Sequence, residues 1–120
     1  MYKLISPALI DHRAEEWGKE MVIDIIGMLK EEYKEIIALL EKAIKNNDFL
    51  GEFGIKEKVH YIKSNLYFFV ERESDFGIKI QEFENKGKNS DGTNLEETFE
   101  YFKSKCLQTF EELDDYIKNF

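Results

Sequence analysis

The sequence predicts an all-α protein, an antiparallel bundle of three main helices in a single domain covering residues 1–120. Three observations lead to this fold class. Apolar residues recur at alternating steps of four and three in three stretches, which keeps one apolar seam on one side of a helix. The chain is 42% hydrophobic and 14% aromatic, so 120 residues can build one real core. A single proline and seven glycines suit long helices with few turns.

The three seams cover most of the chain. The first runs through Val22, Ile26, Leu29, Tyr33, Ile36, Leu40 and Ala43. The second runs through Ile55, Val59, Ile62, Leu66 and Phe69, passes Glu73, and resumes at Phe76, Ile80 and Phe83. The third runs through Leu95, Phe99, Phe102, Cys106, Thr109, Leu113, Tyr116 and Phe120. Three such helices can bury their seams only against one another, which favours a bundle.

The first helix is expected to begin at Ser6 and Pro7. A serine hydroxyl can cap the first turn, and proline fits the first helical position because its missing N–H is not needed there. The apolar stripe changes phase near Gly18 and Gly27, so we expect a kink or break and a short leading helix. The remainder should end at Asn46.

The second helix is expected to begin near Ile55 and to lie at the centre of the bundle. Its far end is ambiguous, because Ser74 to Gly77 is able to break a helix and the next apolar residues alternate as in a strand. We favour a helix over residues 74–86, since no partner strand is evident. Glu73 occupies an apolar position of the seam, which predicts a register-setting residue or simple exposure.

The third helix should follow a polar loop over residues 86–93 and run to the end of the chain. Asn94 is the expected N-terminal cap, and Glu97 has the spacing of a capping box. Cys106 lies on this seam, and we expect a buried structural thiol.

Negative charge is concentrated on the last helix. The chain has a net charge of −8, and residues 91–120 contain eight acidic and three basic residues. Glu111, Glu112, Asp114 and Asp115 fall near the negative end of the helix dipole, where acidic residues are disfavoured. We interpret them as a docking surface for a larger protein with a basic surface; the alternative is a solvated face that maintains solubility. The chain has no basic stripe to neutralise phosphates, which argues against direct nucleic-acid binding.

We predict no catalytic, cofactor-binding or metal site, and therefore no enzyme. Glu57 and His60 form half of a di-iron bundle motif, but the other half is missing. His12 and Glu16 share a helix face and would need further ligands to hold zinc. Serine nucleophile motifs and glycine-rich phosphate loops are missing from the sequence.

The favoured function is a non-enzymatic binding protein: a small acidic inhibitor, an immunity protein or a phage-type regulator. The alternative is a structural subunit that self-associates as a helical dimer, and a bundle that binds a metal or small molecule is the third possibility. Neither a long apolar run nor a signal pattern is present, so we expect a cytoplasmic protein that does not enter membranes.

Overall fold

The computed structural model describes residues 2–120, and within them every regular element is an α-helix. The helices are α1 (Pro7–Trp17), α2 (Lys19–Lys45), α3 (Ile55–Leu66), α4 (Asp75–Lys88) and α5 (Leu95–Lys118). The all-α prediction is confirmed. The count of three main helices is not, because the second predicted helix is divided into α3 and α4.

The four longer helices α2 to α5 form a closed ring in which each packs against the next, and α1 packs against α2. Lys30 pairs with Asp114, and the Tyr33 and Phe110 rings meet edge to face, so α2 and α5 run in opposite directions. The sequence predicted that the helix beginning at Ile55 would be central. In the structure it is α2 that contacts three other helices, α1, α3 and α5.

The break between α1 and α2 lies at Gly18. Its φ of +90° is a conformation that L-residues with side chains rarely adopt, and its N–H donates to the Ala14 carbonyl at 2.8 Å. At the start of α1, the Ser6 hydroxyl accepts a hydrogen bond from the Leu9 N–H. The predicted cap and leading helix are confirmed, whereas α2 continues through Gly27 without a break.

The segment of residues 67–74 separates α3 from α4. Phe69 is fully buried there, and its carbonyl accepts a hydrogen bond from the Ser6 N–H at 2.8 Å. Ser74 then caps α4 by accepting from the Gly77 N–H at 3.0 Å. Residues 75–88 are helical, so the strand alternative is wrong, and Glu73 is exposed in the connection rather than on a seam.

A glycine sets the closest approach of α3 and α4. A Cβ atom at Gly87 would lie 2.6 Å from the Lys56 backbone nitrogen, nearer than real Cβ contacts come. The two helices therefore touch through their backbones at Gly87. This close packing brings polar side chains of α3 and α4 within hydrogen-bonding distance of each other elsewhere along the pair.

The start of α5 corrects one prediction. Asn94 has a φ of +52°, in the left-handed region, and its side chain makes no capping hydrogen bond. The capping box of Asn94 and Glu97 is therefore wrong, although the helix does begin at Leu95 and extends to Lys118.

The core is formed by the three predicted seams. Leu66 and Phe69 are fully buried, and Cys106 is a buried free thiol. Four buried hydrophobic residues outside the seams complete it: Ile5, Ile10, Val70 and Phe110. Among the helices of residues 2–120, none has the length and apolar content needed to cross a membrane.

Candidate functional site

Glu112, one of the four predicted docking residues, binds the N-terminal segment of the chain. Its Oε1 accepts hydrogen bonds from the backbone N–H groups of Lys3, Leu4 and Ile5 at 3.1, 2.9 and 3.2 Å. These donors precede α1 and have no helical partners, so one carboxylate satisfies three backbone groups. The contact gives this acidic residue an intramolecular role.

Two more of the predicted residues also have partners within the chain. Asp115 accepts a hydrogen bond from the Tyr2 hydroxyl at 2.6 Å, and this bond is the main reason that the pKa of Tyr2 is raised. Asp114 forms an ion pair with Lys30 of α2. Only Glu111 among the four is exposed with no hydrogen bond or ion pair to the described residues. The docking role of the four stays a prediction.

A groove of about 620 Å³ lies at the opposite end of α5, where it meets the end of α2. Ile44 and Phe99 supply its apolar lining. Its acidic side chains are Glu41, Glu96, Glu97 and Glu100, and its basic ones are Lys45 and Lys103. The groove results from antiparallel packing, which places the last turns of α2 beside the first turns of α5.

The charges in this groove are unequally neutralised. Lys103 lies 2.8 Å from the Glu100 carboxylate and 4.5 Å from the centre of the Phe99 ring, so its ammonium group is already held. Glu41, Glu96 and Glu97 make no hydrogen bond or ion pair with the described part of the chain. An apolar floor with unneutralised carboxylates on its rim can accept a side chain or helix that is apolar on one face and cationic on another.

A second cluster lies between α3 and α4 and centres on Glu84, which is 1% exposed. Lys63 lies 2.9 Å from its carboxylate, Lys88 lies 3.0 Å away and His60 Nδ1 lies 3.0 Å away. Burial raises the pKa of the Glu84 carboxyl, but the hydrogen bonds from Lys63, Lys88 and His60 outweigh burial and lower it to about 2. Three donors around one carboxylate make this a structural ion cluster.

Sequence reasoning missed the Glu84 cluster. Glu84 directly follows the seam residue Phe83. Its position in the helix therefore predicted a place at the edge of the buried face and not within it. The sequence does show basic residues on α3 and an acidic residue beside the seam of α4. Their pairing can be inferred only once the two helices are known to be antiparallel neighbours.

The remaining candidate groups also have partners or are buried. His12 pairs with Glu16 at 2.8 Å, in the i, i+4 relation seen in the sequence. Glu57 lies 3.6 Å from Lys56 and does not bind His60, which points to Glu84. Burial raises the pKa of the Cys106 thiol well above its ordinary value. Within residues 2–120, no three His, Cys, Asp or Glu side chains are grouped as metal ligands.

Comparison with known proteins gave no match: no protein-family model, no curated protein and no solved structure resembles this chain significantly.

Proposed function

We propose that the protein is a non-enzymatic binding module of the inhibitor, immunity or regulatory type, and that it docks on a basic region of a larger protein. The observation that carries the proposal is the groove between α2 and α5, where Glu41, Glu96 and Glu97 have no cationic partner in the described chain. The groove combines apolar contact area with an excess of unpaired negative charge, three carboxylates against the one unpaired ammonium group of Lys45.

The outward face of α5 extends this surface. Glu96, Glu100, Leu107 and Glu111 recur along one side of the helix, and Leu107 is 52% exposed between the acidic positions. From Glu96 to Glu111 the face is about 22 Å long at 1.5 Å per residue. A basic helix of the partner lying along α5 would meet Glu96 and Glu111 at the two ends of this face and the apolar Leu107 between them. Lys103 lies on the same side and is paired with Glu100.

Electrostatic complementarity of this kind acts mainly on the association rate and on the choice of partner. Exposed carboxylates attract a cationic surface over about a Debye length, roughly 10 Å at 0.1 M salt. The apolar floor formed by Ile44 and Phe99 supplies burial after the encounter. The proposed complex is thus steered by charge and held by apolar contact.

The test uses two synthetic amphipathic helices with the same leucine face, one with lysine and one with glutamate on the polar face. Binding is measured by calorimetry, and the site is located by amide chemical-shift changes. The lysine peptide should bind and shift the amides of residues 41–45 and 96–103, whereas the glutamate peptide should not bind.

A pair of variants with equal charge separates the groove from general acidity. The groove variant changes Glu41, Glu96, Glu97 and Glu100 to Gln. The control variant changes four exposed glutamates without partners in the described chain to Gln: Glu20, Glu35, Glu52 and Glu73. Both lower the net charge from −8 to −4. The groove variant should weaken binding by about tenfold or more, which is about 1.4 kcal/mol. Equal weakening by the control variant would contradict a localised site.

A further inference from the structure

A cleft of about 560 Å³ lies where the N-terminal segment, α1 and the end of α5 meet. It is at the opposite end of α5 from the groove of the proposed function. Its lining includes three aromatic rings, two carboxylates and one ammonium group, which belong to Tyr2, Tyr116, Phe120, Asp11, Glu15 and Lys19. We refer to these six residues as the aromatic–acidic cleft.

The three rings of the cleft stand at angles to one another. The Tyr2 and Tyr116 rings meet edge to face, with 5.6 Å between their centres and 77° between their planes. Phe120 follows Tyr116 by four residues, and its ring centre lies 6.0 Å from that of Tyr116, with 55° between the planes. Rings set at angles around one space are typical of the aromatic cages that bind alkylated ammonium groups, because the ring faces attract positive charge.

Hydrogen bonds to carboxylates hold both tyrosines of the cleft. The Tyr116 hydroxyl donates to Asp11 of α1, and the Tyr2 hydroxyl donates to Asp115 at 2.6 Å. The bond to Asp11 is the main reason that the pKa of Tyr116 is raised to about 12, so this phenol keeps its proton at neutral pH. Because both rings are fixed from their hydroxyl ends, they lose little conformational freedom when a ligand binds.

The charge of the cleft favours a cation. Glu15 follows Asp11 by four residues on α1, so the two carboxylates lie on the same face of that helix. Glu15 is exposed and has no hydrogen bond or ion pair with the described residues. Against these two carboxylates, Lys19 is the one basic residue that the described chain contributes to the lining. The lining therefore has one negative charge in excess and can neutralise a ligand of charge +1.

The position of Lys19 shows that an ammonium group is already attracted to this cleft. Its Nζ lies 5.5 Å from the centre of the Phe120 ring and donates to the Phe120 carbonyl at 2.7 Å. The Lys19 side chain is exposed, so it can move into solvent without breaking core contacts. A primary ammonium is strongly hydrated, whereas an alkylated ammonium gives up less hydration when it enters a space between rings.

We propose that the aromatic–acidic cleft binds a small quaternary ammonium compound of the choline type. The alkylated nitrogen lies among the rings of Tyr2, Tyr116 and Phe120, and the Glu15 carboxylate balances its charge. Lys19 competes for the same space and turns towards solvent when the ligand binds. This inference does not depend on the proposed function, because the groove between α2 and α5 shares no lining residue with the cleft.

The first test compares two compounds of the same shape. Choline has a trimethylammonium group, and its neutral tert-butyl analogue has carbon in place of the nitrogen. In NMR titrations of the full chain, choline should shift the amides of residues 11–15 and 116–120 with a dissociation constant of about 1 mM. The neutral analogue should leave them unchanged. Equal shifts from both compounds, or no saturable shift with choline at roughly 10 mM, overturn the inference.

The second test uses two variants of the cleft, each with a matched control. Phe120→Leu removes a ring of the cleft, and Phe53→Leu removes an exposed ring that lies 5.0 Å from the Lys58 ammonium, away from the cleft. Glu15→Gln removes a carboxylate of the cleft, and Glu20→Gln removes an exposed carboxylate of α2 without a partner in the described chain. The two cleft variants should weaken choline binding by about threefold or more, and the controls by less than about twofold.

The third test removes the internal competitor. Lys19→Met keeps an unbranched apolar side chain and removes the ammonium group, so it should bind choline about threefold more tightly than the unmodified chain. Unchanged or weaker binding by Lys19→Met overturns the inference, and so do equal losses in the cleft variants and their controls. The circular dichroism melt of each variant identifies loss of folding, and an unfolded Phe120→Leu protein would be replaced by Phe120→Met.

Discussion

The two ends of α5 contain similar numbers of acidic residues and use them differently. At the C-terminal end, Glu112 and Asp115 bind groups of the N-terminal segment, and Asp114 binds Lys30 of α2. At the N-terminal end, Glu96 and Glu97 extend beside an open groove with no partner in the described chain. The difference shows that a local excess of negative charge does not identify a docking surface; the partners of each carboxylate do.

The largest expected effect comes from reversing the C-terminal end. Changing Glu111, Glu112, Asp114 and Asp115 to Lys should lower the free energy of unfolding by about 3–5 kcal/mol, because it removes charged hydrogen bonds and an ion pair together. Helix-dipole reasoning alone predicts a gain of about 0.3–1 kcal/mol from cations at this end. Urea denaturation measures the change, and a stabilised variant would contradict a structural role for these residues.

The Glu84 cluster sharpens the comparison, since its buried carboxylate is bound by two lysines and a histidine. Its pKa of about 2 lies below the ordinary value of 4.5, so its contribution to stability is complete above pH 4.5 and is lost as the pH falls towards 2. Glu84→Gln should therefore cost roughly 3 kcal/mol at neutral pH.

The measurement for Glu84→Gln is the free energy of unfolding at several pH values between 2 and 7. The difference between the original chain and the variant should shrink steadily below pH 5. A difference that stays constant over this range would mean that the cost comes from packing and not from charge.

Glu112→Gln isolates the most highly connected acidic residue of α5. The variant should lose about 1–3 kcal/mol of stability, because three backbone N–H groups lose a charged acceptor. Hydrogen exchange should show faster exchange at Lys3, Leu4 and Ile5 while the amides in the centre of α2 remain protected. Uniformly faster exchange would indicate global destabilisation instead of release of the N-terminal segment.

The smallest effect is expected at the N-terminal end of α5, where the acidic residues have no partner in the described chain. Changing Glu96 and Glu97 to Gln should alter the free energy of unfolding by less than about 1 kcal/mol, since only the favourable interaction with the helix N-terminus is lost. A loss comparable to that of Glu112→Gln in the same denaturation experiment would show that these residues have structural partners after all.

The sequence predicted the buried faces well and the connections poorly. Apolar spacing identified the complete buried stripe of α2, from Val22 to Ala43, because burial in a helix depends on a local period of 3.6 residues. The division of the second predicted helix after Leu66 was not predicted, since Phe69 within the connection is buried, as are Leu66 before it and Phe76 after it. A turn that keeps the apolar residues facing the core does not interrupt the spacing of apolar residues along the sequence, so that spacing does not reveal it.

The candidate site was predictable only in part. Charge counting correctly located negative residues on the last helix, but partners such as Lys30 and the N-terminal amides lie 84 to 109 residues away in the chain. The groove depends on the antiparallel alignment of α2 and α5, which brings Ile44 beside Phe99. Such pairings are properties of the folded chain and have no local sequence signature.

Cys106 lies on α5 between the two ends compared above, and it is completely buried. Its thiol can react with an aromatic disulfide reagent only when the helix opens and exposes it. The rate of this reaction, compared with that of a free thiol under the same conditions, therefore reports the free energy of opening. The protein thus contains its own chemical probe of local unfolding, readable by simple absorbance without any added label.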